Sequence, residues 1–229
     1  AVNMGLFTHL AKGELSGNDI KQKLGINDRG LYDFLDTLVA LNFLKRSGLK
    51  ETSMYSNAED SDLFLDKNKP SYVGGMLEMA NNRLYPFWSN LEEGLKTGKP
   101  QNETKTGGAP IFEALYADKK KLREFLRAMG GIQMGNFMVF SQVFDFTNYK
   151  TLCDVGGAGG YLACQVTMNN IHMNCVSFDL PPVTPIAMEN INMMGLSDRI
   201  TAQSGDFLNE DIPKADVITM GNILHDWGI

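Results

Sequence analysis

The chain has 229 residues, 43% hydrophobic and 21% charged, the balance of a globular protein with room for one large or two small cores. No apolar run approaches the roughly 18–20 residues that span a bilayer, and the opening AVNMGLFTHLAKG lacks a basic leader, so a cytoplasmic setting is expected, with no membrane partner. The net charge of −6 excludes a broadly basic nucleic-acid surface.

That charge is unevenly placed. Residues 146–229 hold three basic and nine acidic residues, whereas the first 145 hold eighteen of each. Cys153, Cys164 and Cys175 stand eleven apart, a spacing without zinc-ligand logic, and are expected to be buried thiols; no metal site is expected. The chain begins with Ala1 and not Met, which suggests a processed or cut N-terminus.

Residues 1–64 predict three helices and a ribbon. Leu6, Phe7 and Leu10 form a helical stripe. Ser16 or Asn18 can cap a second helix carrying Ile20 and Leu24, ended by Gly25. Asn27 or Asp28 can cap a third, with Leu31, Phe34, Leu35, Leu38 and Leu41 on one face. Leu49 to Phe64 alternates loosely, as a hairpin would. This is a winged-helix layout and raises a DNA-binding regulator as one reading. The third helix carries Asp28, Asp33 and Asp36 against Arg29, and phosphates repel such a helix. A packing or dimerisation module fits better.

Residues 70–145 predict helices. MLEMANNRLYPFWSNLEEGLKTGKP reads as a broken helix interrupted at Pro86. QNETKTGGAP is a polar connection. Two further helices are expected, around Lys119–Met129 and Ile132–Val143. Their Met129, Met134, Phe137 and Met138 suit either a core or a cleft for a flat aromatic molecule.

From residue 148 the pattern becomes strand–helix–strand. A buried strand, Thr151–Val155, runs into the glycine turn Gly156–Gly160 and a helix. A second strand ends at Asp179, a third at Gly205-Asp206-Phe207, and a fourth spans DVITMGN. A parallel, doubly wound sheet follows, with ligands at the carboxyl ends of its strands. Asp154 on the strand before the turn is poor company for a pyrophosphate and good company for a cationic cofactor. With Asp179, Asp206 and His225 at other strand ends, the set suits a positively charged nucleoside such as S-adenosylmethionine. Asp179 could instead cap its Pro-Pro turn, and Asp206 could be a helix cap. His9 and His172 have no motif context.

The motifs DVGGAGG (154–160), FDLPPV (178–183), GDF (205–207) and LHDW (224–227), in this order and spacing, resemble the S-adenosylmethionine-dependent O-methyltransferases of the caffeate and hydroxyindole type. FWSNLEEGLKTGKP, FEALYADKKKLREFLRAM and the winged-helix segment match the same layout. The resemblance implies an α/β chain: residues 1–110 a winged-helix-like dimerisation domain with a helical connector, and residues 111–229 a Rossmann-like cofactor domain. It implies a homodimer, a small hydroxylated acceptor, and the following roles. Asp154, Gly156 and Gly157 line the methionine end of the cofactor. Asp179 holds the ribose, and Asp206 and Phe207 bracket the adenine. Leu180, Gly205, Met220 and Gly221 complete the cofactor set. His225 is the general base, and Met129, Met134, Phe137, Met138, Asp226 and Trp227 form the acceptor pocket.

Two departures stand out. Close members often carry Arg or Lys three or four residues before the histidine, where this chain has Asn222 and Gly221. The family's sheet has seven strands in the order 3-2-1-4-5-7-6, and four are legible here. The chain therefore reads as truncated at both ends and weak or inactive by itself. A cofactor-binding relative without transfer activity is the alternative.

Overall fold

The computed structural model describes residues 1–49, 52–102, 105 and 115–226 and divides into two compact units, Ala1–Arg83 and Leu84–Ile229. In the first, α1 (Leu6–Leu10), α2 (Gly17–Leu24) and α3 (Asp28–Ala40) pack with a three-stranded antiparallel sheet of β1 (Leu15–Ser16), β2 (Leu44–Ser47) and β3 (Met54–Asn57), in the order β1-β3-β2. Ser16 caps α2 by accepting from the Asp19 N–H at 3.1 Å while Asp19 bonds back, and Asn27 caps α3. The core joins Leu6, Phe7, Leu10, Ile20, Leu31, Leu35, Leu38, Leu44, Tyr55 and Leu65.

Three sequence expectations shift here. The hairpin starts at Leu44, earlier than expected, and Glu59–Leu65 forms α4, so Phe64 is helical. The rise of three acids, Glu59, Asp60 and Asp62, in the first turn favours a helix start over a strand. Leu41 lies beyond the end of α3 and is 60% exposed, outside the core. Chain then continues through α5 (Gly74–Met79) and a π-helical turn, Ala80–Leu84, that crosses the unit boundary.

The second unit opens with a 3₁₀ turn, Tyr85–Asn90, which has Pro86 at its start, and α6 (Leu91–Thr97). α7 then runs unbroken from Lys119 to Val143 and corrects the expected pair of helices. The glycines at its middle do not break it. Gly130 is buried, and a methyl there would run into the ring edge of Tyr161, so this glycine permits close approach and is not a stop signal. Asp118 caps α7 through the N–H groups of Lys120 and Lys121.

The sheet comprises β4 (Thr151–Val155), β5 (Asn174–Asp179), β6 (Ile200–Ser204) and β7 (Val217–Thr219), all parallel, in the order β6-β5-β4-β7. α8 (Tyr161–Asn169) and α9 (Thr184–Met193) are the crossovers. Leu152, Leu162, Val166, Met173, Cys175, Ile191 and Ile200 form the main core, with Phe137 and Phe140 of α7 packed against it. The three cysteines are buried and free. At the start of the strands Asp216 accepts from the N–H groups of Lys150 and Thr151 at 2.8 and 2.9 Å and from the Thr151 hydroxyl, which pins β4 beside β7. Arg199 donates to the carbonyls of Thr167 and Ile171, joining the start of β6 to the end of α8. No described helix is long and apolar enough to cross a membrane.

Candidate functional site

Strand alternation decides which side chains meet. Leu152 on β4 and Cys175 on β5 face the main core, so Asp154, Ser177 and Asp179 continue that same face toward the carboxyl ends. Cys153, Val155 and Phe178 point the other way into a second cluster. The polar face ends at the glycine turn.

The turn's backbone is held from below. The N–H groups of Gly156 and Gly157 both donate to the Phe178 carbonyl, at 2.8 and 3.2 Å. Gly156, Ala158 and Gly160 have φ of 70°, 49° and 74°. Gly156 needs its missing Cβ, since one there would strike Ile223, and one at Gly157 would strike the Ser177 hydroxyl. Ala158 is a residue with a side chain in the left-handed region, which costs roughly 1–2 kcal/mol. Its methyl packs with Leu122, Leu126, Val183 and Ile186, and its N–H donates to Oδ2 of Asp179 at 2.8 Å. The other oxygen of Asp179 accepts from the Leu180 N–H at 2.7 Å.

Asp154 is 5% exposed, and Thr219 donates to its Oδ1 at 2.8 Å. Burial pushes its carboxyl up to about 7, against the Thr219 bond, and the charge of Asp179 adds to the rise. Burial also raises Asp179, opposed by its two backbone donors. Two desolvated carboxylates on neighbouring strands oppose each other's ionisation, and a cation between or beside them relieves both. The donor set fits the positively charged nucleoside expected from the sequence. Both Asp179 oxygens retain lone pairs for ribose hydroxyls.

The other expected cofactor residues are placed as follows. Gly205 is buried, its N–H donates to the Asp179 carbonyl at 2.9 Å, and a Cβ would strike the Phe178 ring. Asp206 accepts from the Leu208 N–H at 3.0 Å and the Asn209 amide at 2.7 Å within a turn, and no described helix begins there for a cap to serve. Phe207 and Met220 pack half-buried against Cys153, Val155 and Phe178. Leu180 is half-buried, with its carbonyl turned to the Val183 N–H. Gly221 is exposed, and the space where its Cβ would stand lies 3.2 Å from Oε1 of Gln133 on α7.

His225 corrects the expectation of a residue at the strand end. β7 stops at Thr219, and His225 sits exposed in a 3₁₀ turn, Leu224–Asp226, reached through Asn222 at φ 55°. The left-handed Asn222 bends the chain away from the strand direction, so the apolar run did not signal where pairing ends. Trp227 lies outside the described residues. On α7, Met129 and Met134 are half-buried, while Phe137 packs against the core and Met138 is 47% exposed. Neighbours on a helix diverge by about 100°, so Phe137 and Met138 do not share one wall.

Sequence reasoning missed Thr219, Ser177, Ala158, Tyr161, Asn190 and Gln133. The Ser177 hydroxyl is buried with no hydrogen-bond partner among the described residues. Period-2 alternation from Asp179 could have found Ser177. Nothing local marks Gln133.

Comparison with known proteins bears on the family and the fold. An O-methyltransferase domain model matches residues 88–228 and an O-methyltransferase dimerisation domain model matches residues 1–67. The tetracenomycin polyketide synthesis 8-O-methyl transferase TcmO of Streptomyces glaucescens is 37% identical over 229 residues, covering all of this chain and 66% of the relative. The N,N-dimethyltransferase OxyT of Streptomyces rimosus is 30% identical, covering all of this chain and 65% of its own length. The crystal structure of human N-acetylserotonin methyltransferase in complex with SAM superposes with a TM-score of 0.88 at 26% identity, covering all of this chain and 66% of that one. The chain thus spans about two thirds of the length of these relatives.

Proposed function

The chain belongs to the O-methyltransferase family, and from that premise we propose that its protein transfers a methyl group from S-adenosylmethionine to a hydroxyl of a small aromatic or polyketide-like acceptor. The observation that carries this reading is the pair of carboxylates framing the glycine turn, Asp154 buried and Asp179 half-buried. The cofactor supplies a methyl group on a cationic sulfur. Everything else falls to the chain's own residues.

Asp154 meets the cationic methionine end and is pulled toward its ionised form as the positive charge arrives. Asp179 accepts from the ribose hydroxyls while its backbone donors keep the turn closed. Phe207 and Met220 offer apolar surface to the adenine, with Asp206 at its edge. The cofactor-binding part is assigned to residues 111–229 and the dimer-forming part, with its connector, to residues 1–110. The match to a dimerisation domain supports a homodimer.

His225 acts as general base. A phenol has a pKa near ~10 and is largely protonated at neutral pH, so removing its proton during attack raises its nucleophilicity. The imidazole accepts that proton and returns it to water. Met129 and Met134 supply apolar surface for a flat acceptor.

A second reading, cofactor binding without transfer, is favoured by one observation: the side-chain-less Gly221 and Asn222 stand where close members often carry a cation. Calorimetry with S-adenosylmethionine followed by assay against a panel of phenols separates the two. Binding with transfer supports the enzyme, binding without transfer supports the alternative, and no binding removes both.

A further inference from the structure

Tyr161, the first residue of α8, has a position that the cofactor roles do not use. One edge of its ring meets two glycines from distant parts of the chain. At Gly130 of α7 a methyl would collide with Cε2 and Cδ2 of the ring. At Gly159 in the turn a methyl would stand 2.5 Å from Cε2 and 2.8 Å from Cζ. Burial raises the hydroxyl's pKa, the amide of Asn190 on α9 lowers it, and that amide donates to the Gly159 carbonyl at 3.1 Å. A ring and an amide thus grip one residue of the turn from two helices.

The turn needs such a grip. Three of its five residues are left-handed, and glycine loses more backbone entropy on ordering than any other residue. The half made by Gly156, Gly157 and Ala158 is bonded to Phe178 and Asp179. Gly159 is held instead by Tyr161 and Asn190. α7, which supplies the Gly130 notch, also carries Met129 and Met134 on the acceptor side and Gln133 beside Gly221.

We propose that Tyr161 is a positioning residue: its ring, packed against Gly130 and Gly159 at one edge, holds the glycine turn in its cofactor-binding shape and ties that turn to α7. The proposal rests on the reading that this turn receives S-adenosylmethionine. The ring makes the contact with both glycines, so phenylalanine retains most of the function.

The test is made in the intact protein with Tyr161→Phe, Tyr161→Ala, Gly130→Ala and the double variant Gly130→Ala/Tyr161→Ala. Amide hydrogen exchange over residues 156–161 is measured without ligand, and S-adenosylmethionine affinity by calorimetry. In Tyr161→Ala and in Gly130→Ala, exchange in the turn should rise about tenfold while β4 and β5 are unchanged, and affinity should fall about 10- to 100-fold. Tyr161→Phe should stay within about threefold of the parent on both measures. The Gly130 methyl, harmful beside the ring, should cost nothing further once the ring is gone, a coupling that loss of general stability does not produce. Unchanged turn exchange in Tyr161→Ala overturns the proposal, as does a rise spread equally over the whole unit. If Tyr161→Ala does not fold, Gly130→Ala against Tyr161→Phe decides on the same two measures. Failure of the unmodified protein to bind S-adenosylmethionine overturns the cofactor reading instead, and leaves the exchange result to judge the ring contact.

Discussion

Thr219 on β7 donates its hydroxyl to Oδ1 of Asp154 on β4 at 2.8 Å, across the strand pair whose carboxyl ends frame the glycine turn. One neutral donor does not repay the burial of a carboxylate, and the acid stays up at about 7. A neighbouring cation would favour the ionised form of this group.

Stability should register this. The folded pKa of Asp154 lies above its unfolded value, so its contribution is fully present below about pH 4 and is lost as pH rises through about 7. Asp154→Asn keeps an acceptor for Thr219 and cannot ionise. Thermal melts should show no difference between variant and parent near pH 4. The variant should gain progressively up to pH 7, on the order of a few kcal/mol, and hold that gain above it. A difference independent of pH would remove the account.

Binding should release protons. Burial keeps part of Asp154 protonated near neutral pH before S-adenosylmethionine arrives, and the cofactor's positive charge favours the ionised acid. Calorimetry in two buffers of different ionisation enthalpy should report net proton release, absent in Asp154→Asn. Equal enthalpies in both buffers for the parent would count against Asp154 as the cation's partner.

His225→Ala should lower turnover on a phenol by about 10²–10⁴ while cofactor affinity stays within about twofold. The deficit should narrow as pH approaches the phenol's own pKa near ~10, where solvent removes the proton. Turnover indifferent to the substitution would dismiss His225 as base.

Two glycines on α7 should respond with opposite signs. Around Gly135 there is open space where a methyl would stand, so Gly135→Ala should raise stability by about 1 kcal/mol through helix propensity and unfolded-chain entropy. Gly130→Ala should lower it, because the Tyr161 ring must move. Denaturant melts of the two variants check both, and equal effects would refute the assignment of Gly130 to close approach.

Acid should loosen the other end of the sheet. Asp216 has its carboxyl held below the usual range, first by the Lys150 and Thr151 N–H groups and then by the Thr151 hydroxyl. A depressed folded pKa gives stability that is present above the unfolded value and lost as pH falls. Asp216→Ala should lower the melting temperature at pH 7 and much less near pH 3. A loss of equal size at both would deny the ionised carboxylate a part.

Much of this was legible in sequence where a local pattern carried it. Thr151–Val155 reads as a strand because Leu152, Cys153 and Val155 make it mostly apolar just ahead of a glycine turn, and Asp179 follows at motif spacing. The capping residues Ser16 and Asn27 announce their helices. What escaped depended on distant partners. Gly130 looks like a helix break until the Tyr161 ring is seen against it. Glu59–Leu65 looks like half a hairpin until its acidic first turn is weighed. β7 ends at Thr219 and the chain turns at a left-handed Asn222, which the apolar run through Ile223 and Leu224 conceals. Gln133 and Asn190 carry no motif, and tertiary contact alone marks them.

Both oxygens of Asp179 are committed to main-chain donors, the N–H groups of Ala158 and Leu180. A proton can settle only on the lone pairs those donors leave over, the same ones a ribose hydroxyl would approach. Neutralising the acid would also weaken both main-chain bonds, since a charged acceptor holds an N–H more strongly than a neutral one. Proton and ribose thus compete for one edge of the carboxyl, and the bond that closes the loop is strongest in the form that best receives the sugar.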